Sequence, residues 1–498
     1  MLLFATSQSN KKKNIGTETI IFIGVGIYVT LMLAVGVYAS KRNDSTAEFI
    51  VAGRRMPMFL CTATIIATWF GGGSMMGAAG ASYDDGLLGV IADPFGATLA
   101  LFFIGMFFAR FFRRLRLMTY VELIEQRFGR VAASVSTAAH IVSNIGWVGG
   151  MLVAFGLIFE SLTGTPMHIG ILAGSVIVVV YTMIGGMWAV AMTDLIQIVI
   201  ILIGVVVLFV IVLIDVGGWS TIMAKIPDGT FRMTPIENNG EQWLNYIRLW
   251  LIFGLADIGS QSLLSRAMSA KSERVAQNSF YFAAIGYLCF AMLPVMLGII
   301  GRVTMPGLPD SESIIPALAM EHLHPIAVSI FVGAILAAVM STCDSALLAS
   351  ASLLSRIVLP MVRKDASDAL TLKVARWSIP ALGAISVAIA LNAQDIYDLI
   401  VDANVVMLTA TTVPFLLVVW WRRANRFGAV AAMVVGFLTW LISRSVAPDL
   451  PGDLIGLGAC LVTMVVVSLL TQKIDPPKPA RDVDGRIVEM KDRLGILR

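Results

Sequence analysis

Ala67-Thr68-Trp69-Phe70-Gly71-Gly72-Gly73-Ser74 lies inside an apolar run of spanning length, from about 57 to 82. Three consecutive glycines cost a helix roughly 1 kcal/mol each relative to alanine, so a helical break is expected there. A break at membrane depth persists only where the freed amides and carbonyls are buried in protein or line a cavity, where they hold an ion or polar solute. The competing reading is that small residues simply let helices approach. That reading suits an isolated GxxxG better than a GGGS flanked by Thr68 and Trp69.

Working outward, the remaining sequence has lipid as its solvent. Of 498 residues, 57% are hydrophobic and 14% charged, a composition outside the soluble globular range. A crossing needs about 20 apolar residues. Runs of that length fall near 19–40, 57–82, 87–112, 130–161, 166–185, 188–215, 243–265, 276–302, 325–356, 371–391, 396–421, 425–446 and 452–472, giving about thirteen spans of an all-α integral membrane protein. Alternate loops collect most of the 36 Lys and Arg, including Lys41, Arg42, Arg54, Arg55, Arg110, Arg113, Arg114, Arg116, Arg266, Lys271, Arg274, Arg422 and Arg423. The positive-inside rule then places the C-terminus in the cytoplasm and the N-terminus outside, in a bacterial-type inner or plasma membrane. Lys11, Lys12 and Lys13 go against the rule on an outer tail. The run that follows them lacks a cleavage site and reads as a retained span. In the outer loop at 303–324, residues 314–323 are expected as a short surface helix. The four cysteines lie in apolar segments without paired spacing and are expected to be free and buried. A net charge of +4 implies no nucleic-acid partner.

Three further places carry chemistry. Ala337-Ala338-Val339-Met340-Ser341-Thr342-Cys343-Asp344-Ser345 puts a ladder of oxygens on one helix face. Hydroxyls and carbonyls suit a hard cation such as sodium, and the nearby acid weakens the alternative that each hydroxyl only bonds its own i−4 carbonyl. In 181–197, a Gly185-Gly186 turn joins two spans and Thr193, Asp194 and Gln197 project from the second. Asp93, Asp257 and Asp402 are further acids within spans, and Asp257 sits in a second breakable stretch, Gly254-Leu255-Ala256-Asp257-Ile258-Gly259-Ser260-Gln261. Mid-span Trp69 and Trp147 offer π surfaces to a cationic or ring-bearing solute, although tryptophan is more often an interfacial anchor.

At these residues the sequence resembles the sodium:solute symporter family, and within it the high-affinity choline transporter branch. The resemblance runs from about 49 to 420 and is carried by Thr68-Trp69-Phe70-Gly71-Gly72-Gly73, by Trp147 with Phe155-Gly156 and Met167-His168-Ile169, by 181–197 and by 337–352. It implies the leucine-transporter fold, a 5+5 inverted repeat. The expected organisation is an outer tail at 1–18, one transporter domain over 19–472 and a cytoplasmic tail at 473–498. Within the domain an extra helix at 19–40 precedes a core over about 57–421, and two C-terminal helices fill 425–472. The implied first sodium site comprises the Ala67, Phe70 and Ala338 carbonyls with the Ser341 and Thr342 hydroxyls, Thr342 standing where serine is common. A second ion site is implied at Asp194, Ser341, Asp344 and Ser345, with Asp344 replacing a serine as in the choline branch. For the solute the expected set is Trp69, Gly71, Gly72, Ser74, Trp147, Asp257, Ser260 and Gln261, with Asp93 and Asp402 as additional acids. Trp69 and Trp147 match two tryptophans of the branch's aromatic cage, but the third falls on Ser260, and Asp257 occupies a glycine position. This departure argues against simple choline transport and points to a solute with a hydrogen-bonding positive group.

The expected function is therefore sodium-coupled import of a small organic solute by alternating access, the solute being amine, quaternary-ammonium-like or zwitterionic. A proline-like, carboxylate or sugar symporter and a non-transporting sensor on the same fold are the alternatives. No cofactor is expected beyond sodium as coupling ion, and the partners are solute, sodium and lipid. An enzyme is disfavoured because His140, His168, His322 and His324 form no metal-ligand spacing and no nucleophile elbow is present.

Overall fold

With no water at membrane depth, each crossing segment must satisfy its own backbone, and helices do so. The computed structural model describes all residues except Met1, 42–44, 236–238, 394–395, 448–449 and 489–498. Arg42 and the basic residues beyond Val488 therefore lie outside the described residues. The described chain is nearly all helical, with isolated bridges only from Met56 to Ala270 and from Arg481 to Ile487. The helices used below are α1 (Leu2–Ser40), α2 (Met58–Trp69), α3 (Ala78–Asp85), α4 (Tyr120–Thr163), α5 (Met167–Asp215), α6 (Gly240–Gly254) and α7 (Gln261–Ser269). They continue with α8 (Glu273–Thr304), α9 (Pro325–Leu353), α10 (Asp368–Ala390), α11 (Ile396–Met407), α12 (Arg426–Val446) and α13 (Gly452–Leu470).

Ten described helices are long and apolar enough to cross a membrane, or eleven if the pair Gly240–Gly259 and Gln261–Ser269, bent by 46°, is one broken span. The expected thirteen are thus not thirteen separate helices. Among those that exceed one crossing are Gly73–Leu115, with 43 residues, and α5, with 49. At 1.5 Å per residue they would reach roughly 65 and 73 Å, against a hydrocarbon core of about 30 Å. Each turns at a glycine in the left-handed region, Gly86 (φ 64°) and Gly186 (φ 56°). A side chain at Gly186 would also meet the Phe49 ring at 2.6 Å. The helix runs on through the bend at Gly186, whereas at Gly86 the following amide, of Leu87, leaves the ladder for the Thr230 carbonyl at 2.8 Å.

The centre of the bundle is α9, buried without interruption over 331–353. A helix covered on every side needs no polar face, and its run of Ala, Ser and Thr lets neighbours approach closely. α5, α4 and α1 pack around it, whereas α12 and α13 pack chiefly against each other. Three local expectations change. α1 is helical from Leu2, so the segment expected as a tail continues the first helix. The helix at Ile314–His322 buries Ile314, Ile315, Leu318 and Ala319 instead of lying on the surface. Cys289 is exposed, while Cys61, Cys343 and Cys460 are buried.

Backbone contact between α8 and α3 is direct. A methyl group at Gly298 would lie 2.1 Å from the Ala79 carbonyl oxygen and 2.2 Å from Ser82 Oγ. Gly298→Ala is expected to cost about 1–3 kcal/mol and to lower the thermal-unfolding midpoint of the purified protein. Gly26→Ala, whose methyl group meets nothing within 4 Å, should leave the midpoint in place.

Candidate functional site

α2 ends at Trp69, and the residue that leaves helical geometry is Phe70 (φ −73°, ψ 75°), not one of the glycines. The Gly71 amide turns back to the Trp69 carbonyl at 2.8 Å, and the Gly72 amide points to Met151 Sδ at 3.2 Å. Neither closes the helical ladder onto Ala67 or Thr68. The Ala67 carbonyl instead accepts from Ser341 Oγ of α9 at 2.9 Å. The Ala338 carbonyl accepts from Ser341 at 2.9 Å and from Thr342 at 3.2 Å. The glycines serve proximity. A methyl group at Gly71 would lie 2.3 Å from Thr342 Oγ1, and one at Gly72 would lie 2.8 Å from Ala154 Cβ. Ala67, Ala338, Ser341 and Thr342 thereby converge as a cluster of uncharged oxygens beside the non-helical Phe70, the ligand chemistry of a hard monovalent cation.

Next to this cluster lies a cavity lined by Trp69, Trp147, Asp257, Ser260 and Thr342 among others. Asp257 occupies a short turn at Ala256–Gly259 between α6 and α7. Its Oδ2 accepts from Asn404 Nδ2 at 3.1 Å, and Asn404 Oδ1 accepts from Trp147 Nε1 at 2.8 Å. The buried Trp69 indole N–H has no hydrogen-bond partner among the described residues. The cavity therefore combines two π surfaces, a free donor and a carboxylate, and Thr342 belongs to both the cavity and the oxygen cluster. His140 also lines it, with Nε2 accepting from the Gln261 amide at 3.0 Å.

The acids of the expected second ion site meet a cation that the sequence reading assigned to an inner loop. Arg266, 1% exposed on α7, stands 3.7 Å from Asp194 Oδ2. Its NH2 donates to Ser345 Oγ, its Nε to Thr64 Oγ1 at 3.3 Å, and its NH1 to the Ser262 carbonyl at 2.7 Å. Thr64 in turn donates to Asp194, and Ser345 donates to Asp344 Oδ1 at 3.0 Å. Ser341 directs its hydroxyl to the first cluster instead. Asp194 Oδ1 and Asp344 Oδ2 have no hydrogen-bond partner among the described residues, and the guanidinium reaches Asp194 directly but Asp344 only through Ser345.

The other expected residues sort cleanly. Ser74 bonds Asp93 Oδ2 at 2.8 Å and Tyr287 at 2.6 Å, one layer away from the cavity lining. Gln261 is turned away, its Oε1 accepting from the Tyr120 amide at 3.0 Å. Asp402 is 49% exposed and pairs with Arg444 at 2.8 Å, in a separate crevice between α6, α11, α12 and α13. Arg266, Asn404, Thr64 and Tyr287 were missed. Only Arg266 had a sequence signal, because a buried acid such as Asp194 requires a buried partner.

This arrangement, a broken helix facing an oxygen-bearing central helix, is that of an ion-coupled carrier. The chain belongs to the sodium:solute symporter family, whose model matches residues 49–436, and it is a sodium-coupled symporter of a small organic solute. Among its relatives, the high-affinity choline transporter 1 of Drosophila melanogaster is 30% identical over 431 residues, covering 83% of this chain and 69% of that protein. The osmoregulated proline transporter OpuE of Bacillus subtilis (strain 168) is 26% identical, covering 91% and 95%. The solved structure of a Na+-coupled sialic acid symporter in a substrate-bound outward-open state aligns with a TM-score of 0.81 at 22% identity, over 93% of this chain and 99% of that one. A structure of MhsT aligns with a TM-score of 0.50. The leucine-transporter fold accounts for these likenesses.

Removing one member of a buried ion pair strands the other. Arg266→Gln is expected to destabilise the protein by about 3–5 kcal/mol. Adding Asp194→Asn should restore much of the loss, a coupling read from thermal unfolding of the single and double variants.

Proposed function

We propose that this symporter imports a solute carrying a positive group with at least one N–H, held between Trp69, Trp147 and Asp257. Sodium is bound by the Ala67, Phe70 and Ala338 carbonyls with the Ser341 and Thr342 hydroxyls. The observation that carries this reading is Thr342, which lines the solute cavity and bonds the Ala338 carbonyl in the oxygen cluster. Loading sodium between α2 and α9 favours the conformation in which the two are joined, and the adjoining cavity takes the solute in that same conformation. Asp257 favours N–H-bearing cations because an ionised carboxylate forms its strongest hydrogen bonds with charged donors. A quaternary nitrogen offers only π contact with Trp69 and Trp147. Gly71 and Gly72 contribute by closeness, while Ser260 lines the cavity in place of a ring.

A second monovalent ion is assigned to Asp194, Asp344 and Ser345, where the two unpartnered carboxylate oxygens lie and Arg266 balances one charge. Ser341 belongs to the first site in this reading, and Asp402 and Gln261 have no solute role. The distribution of basic residues among the loops supports an outer N-terminus and a cytoplasmic C-terminus in a plasma or inner membrane.

Proteoliposomes with an inward sodium gradient test the coupling. Uptake of choline, protonated amines and proline is compared with gradient and without it. Ser341→Ala and Thr342→Ala are each expected to raise the sodium concentration for half-maximal uptake by about tenfold, roughly one charge-assisted contact. Uptake indifferent to sodium, or to both substitutions, rejects the ion site. For the solute, tertiary amines should compete better than their quaternary analogues in wild type, and Asp257→Asn should abolish that preference. Equal competition in both proteins removes Asp257 from recognition.

A further inference from the structure

Outside the cavity, Ser74, Asp93 and Tyr287 form a closed ring of oxygen contacts. Ser74 Oγ lies 2.8 Å from Asp93 Oδ2 and 2.6 Å from Tyr287 Oη, and Tyr287 Oη is hydrogen-bonded to Asp93 Oδ1. Three hydrogen bonds in a ring need three protons. Ser74 and Tyr287 supply one each. The contact of Ser74 with the Trp69 carbonyl, at 3.3 Å, is longer, and spending the serine proton there leaves the ring short of two. An oxygen pair at 2.6 Å with no proton between them is repulsive, so the third proton belongs to the carboxyl group.

The surroundings agree. The elements packed against Ile91–Gly96 are α6, α8 and the flanking stretches Gly86–Val90 and Ala97–Phe103. Arg248 of α6 is paired with Asp453, Arg302 of α8 donates to the Asp84 carbonyl, and Glu273 of α8 is paired with Arg114. Tyr281 of α8 accepts from Gln277 and Tyr246 of α6 meets the Trp243 ring, and the hydrogen bonds to Asp93 among the described residues involve neither these groups nor Glu241 and Arg274. Asp93 lies near enough to Asp257 to interact with it electrostatically, and both are acids. Among the described residues no cation is paired with Asp93, which is 6% exposed.

We propose that Asp93 is a resident proton site, and that its proton completes a latch holding the outer half of the broken helix, at Ser74, against α8. Tyr287 transmits the latch to the cavity wall, its ring centroid lying 6.0 Å from Trp69 and 6.2 Å from Phe70. Loss of the proton to solvent removes one of the three hydrogen bonds and sets a carboxylate near Asp257. Alkaline conditions therefore release the segment and mildly acidic conditions close it.

The test needs no knowledge of the solute. Asn at position 93 reproduces the neutral acid, since its oxygen accepts from Tyr287 and its amide donates to Ser74. Infrared spectra of the purified protein at pH 6 should show a protonated-carboxyl band in wild type that is missing from Asp93→Asn and bleached at pH 9. In a background lacking Cys61, Cys289, Cys343 and Cys460, M76C should react with an impermeant maleimide about fivefold faster than M76C/D93N at pH 9, the size of one net hydrogen bond. At pH 6 the two rates should agree, which removes the intrinsic pH dependence of the thiol. Tyr287→Phe, a variant that removes only a hydroxyl group, should shift the band without abolishing it. Absence of the D93N-sensitive band, its indifference to Tyr287→Phe, or equal labelling of both proteins at pH 9 overturns the proposal.

Discussion

The fold turns on a single hydrogen bond between elements far apart in the chain, from Ser341 of α9 to the Ala67 carbonyl. That carbonyl is available only because the helix has already failed at Phe70 and the Gly71 amide has turned elsewhere. A free carbonyl at membrane depth is costly unless it finds a partner. The partner comes from the most deeply buried helix of the bundle. Everything else about the site follows from keeping these two segments in register: small residues along α9, bare glycines opposite Thr342 and Ala154, and a cavity opening where α2 stops.

A second broken span mirrors the first. The turn at Ala256–Gly259 interrupts the α6–α7 pair and carries Asp257 into the same cavity, while α7 beyond the break brings Arg266 to the acids on α5 and α9. Interruptions of this kind place polar backbone and charged side chains where an intact helix has only lipid-compatible surface. The two breaks divide the work: uncharged oxygens gather at one, titratable and charged groups at the other.

Much of this was legible in the sequence, for reasons that differ between residues. The break near 68–74 was legible because glycine runs penalise helix, yet its agent was misread: Phe70 bends the chain and the glycines permit contact. Neighbouring helices decide that distinction, and the sequence does not contain their distances. The oxygen ladder of α9 was legible from helical periodicity alone. The buried Asp194 signalled that a cation was needed but not which one, because charge at the end of an apolar run, as at Arg266, reads as an interfacial loop, and the short helix that carries it inward depends on the bend at Ser260. Asp402 was read as a site acid, but Asn404 is the residue that reaches Asp257. Two positions apart on a helix is about 200° around its axis, so only one of them faces the turn that carries Asp257.

The link from Trp147 through Asn404 to Asp257 has a consequence for selectivity. Asp257 is not an idle carboxylate awaiting a ligand, because Asn404 of α11 already donates to it. A carboxylate offers about four lone-pair positions, so in the proposed binding mode a donor joins the Asn404 amide at Asp257 without displacing it. The amide fixes which way the carboxylate turns, and the Trp147 indole fixes the amide in its turn. The acceptor is thus oriented before any solute arrives, and part of the ordering that binding requires is already built into the fold.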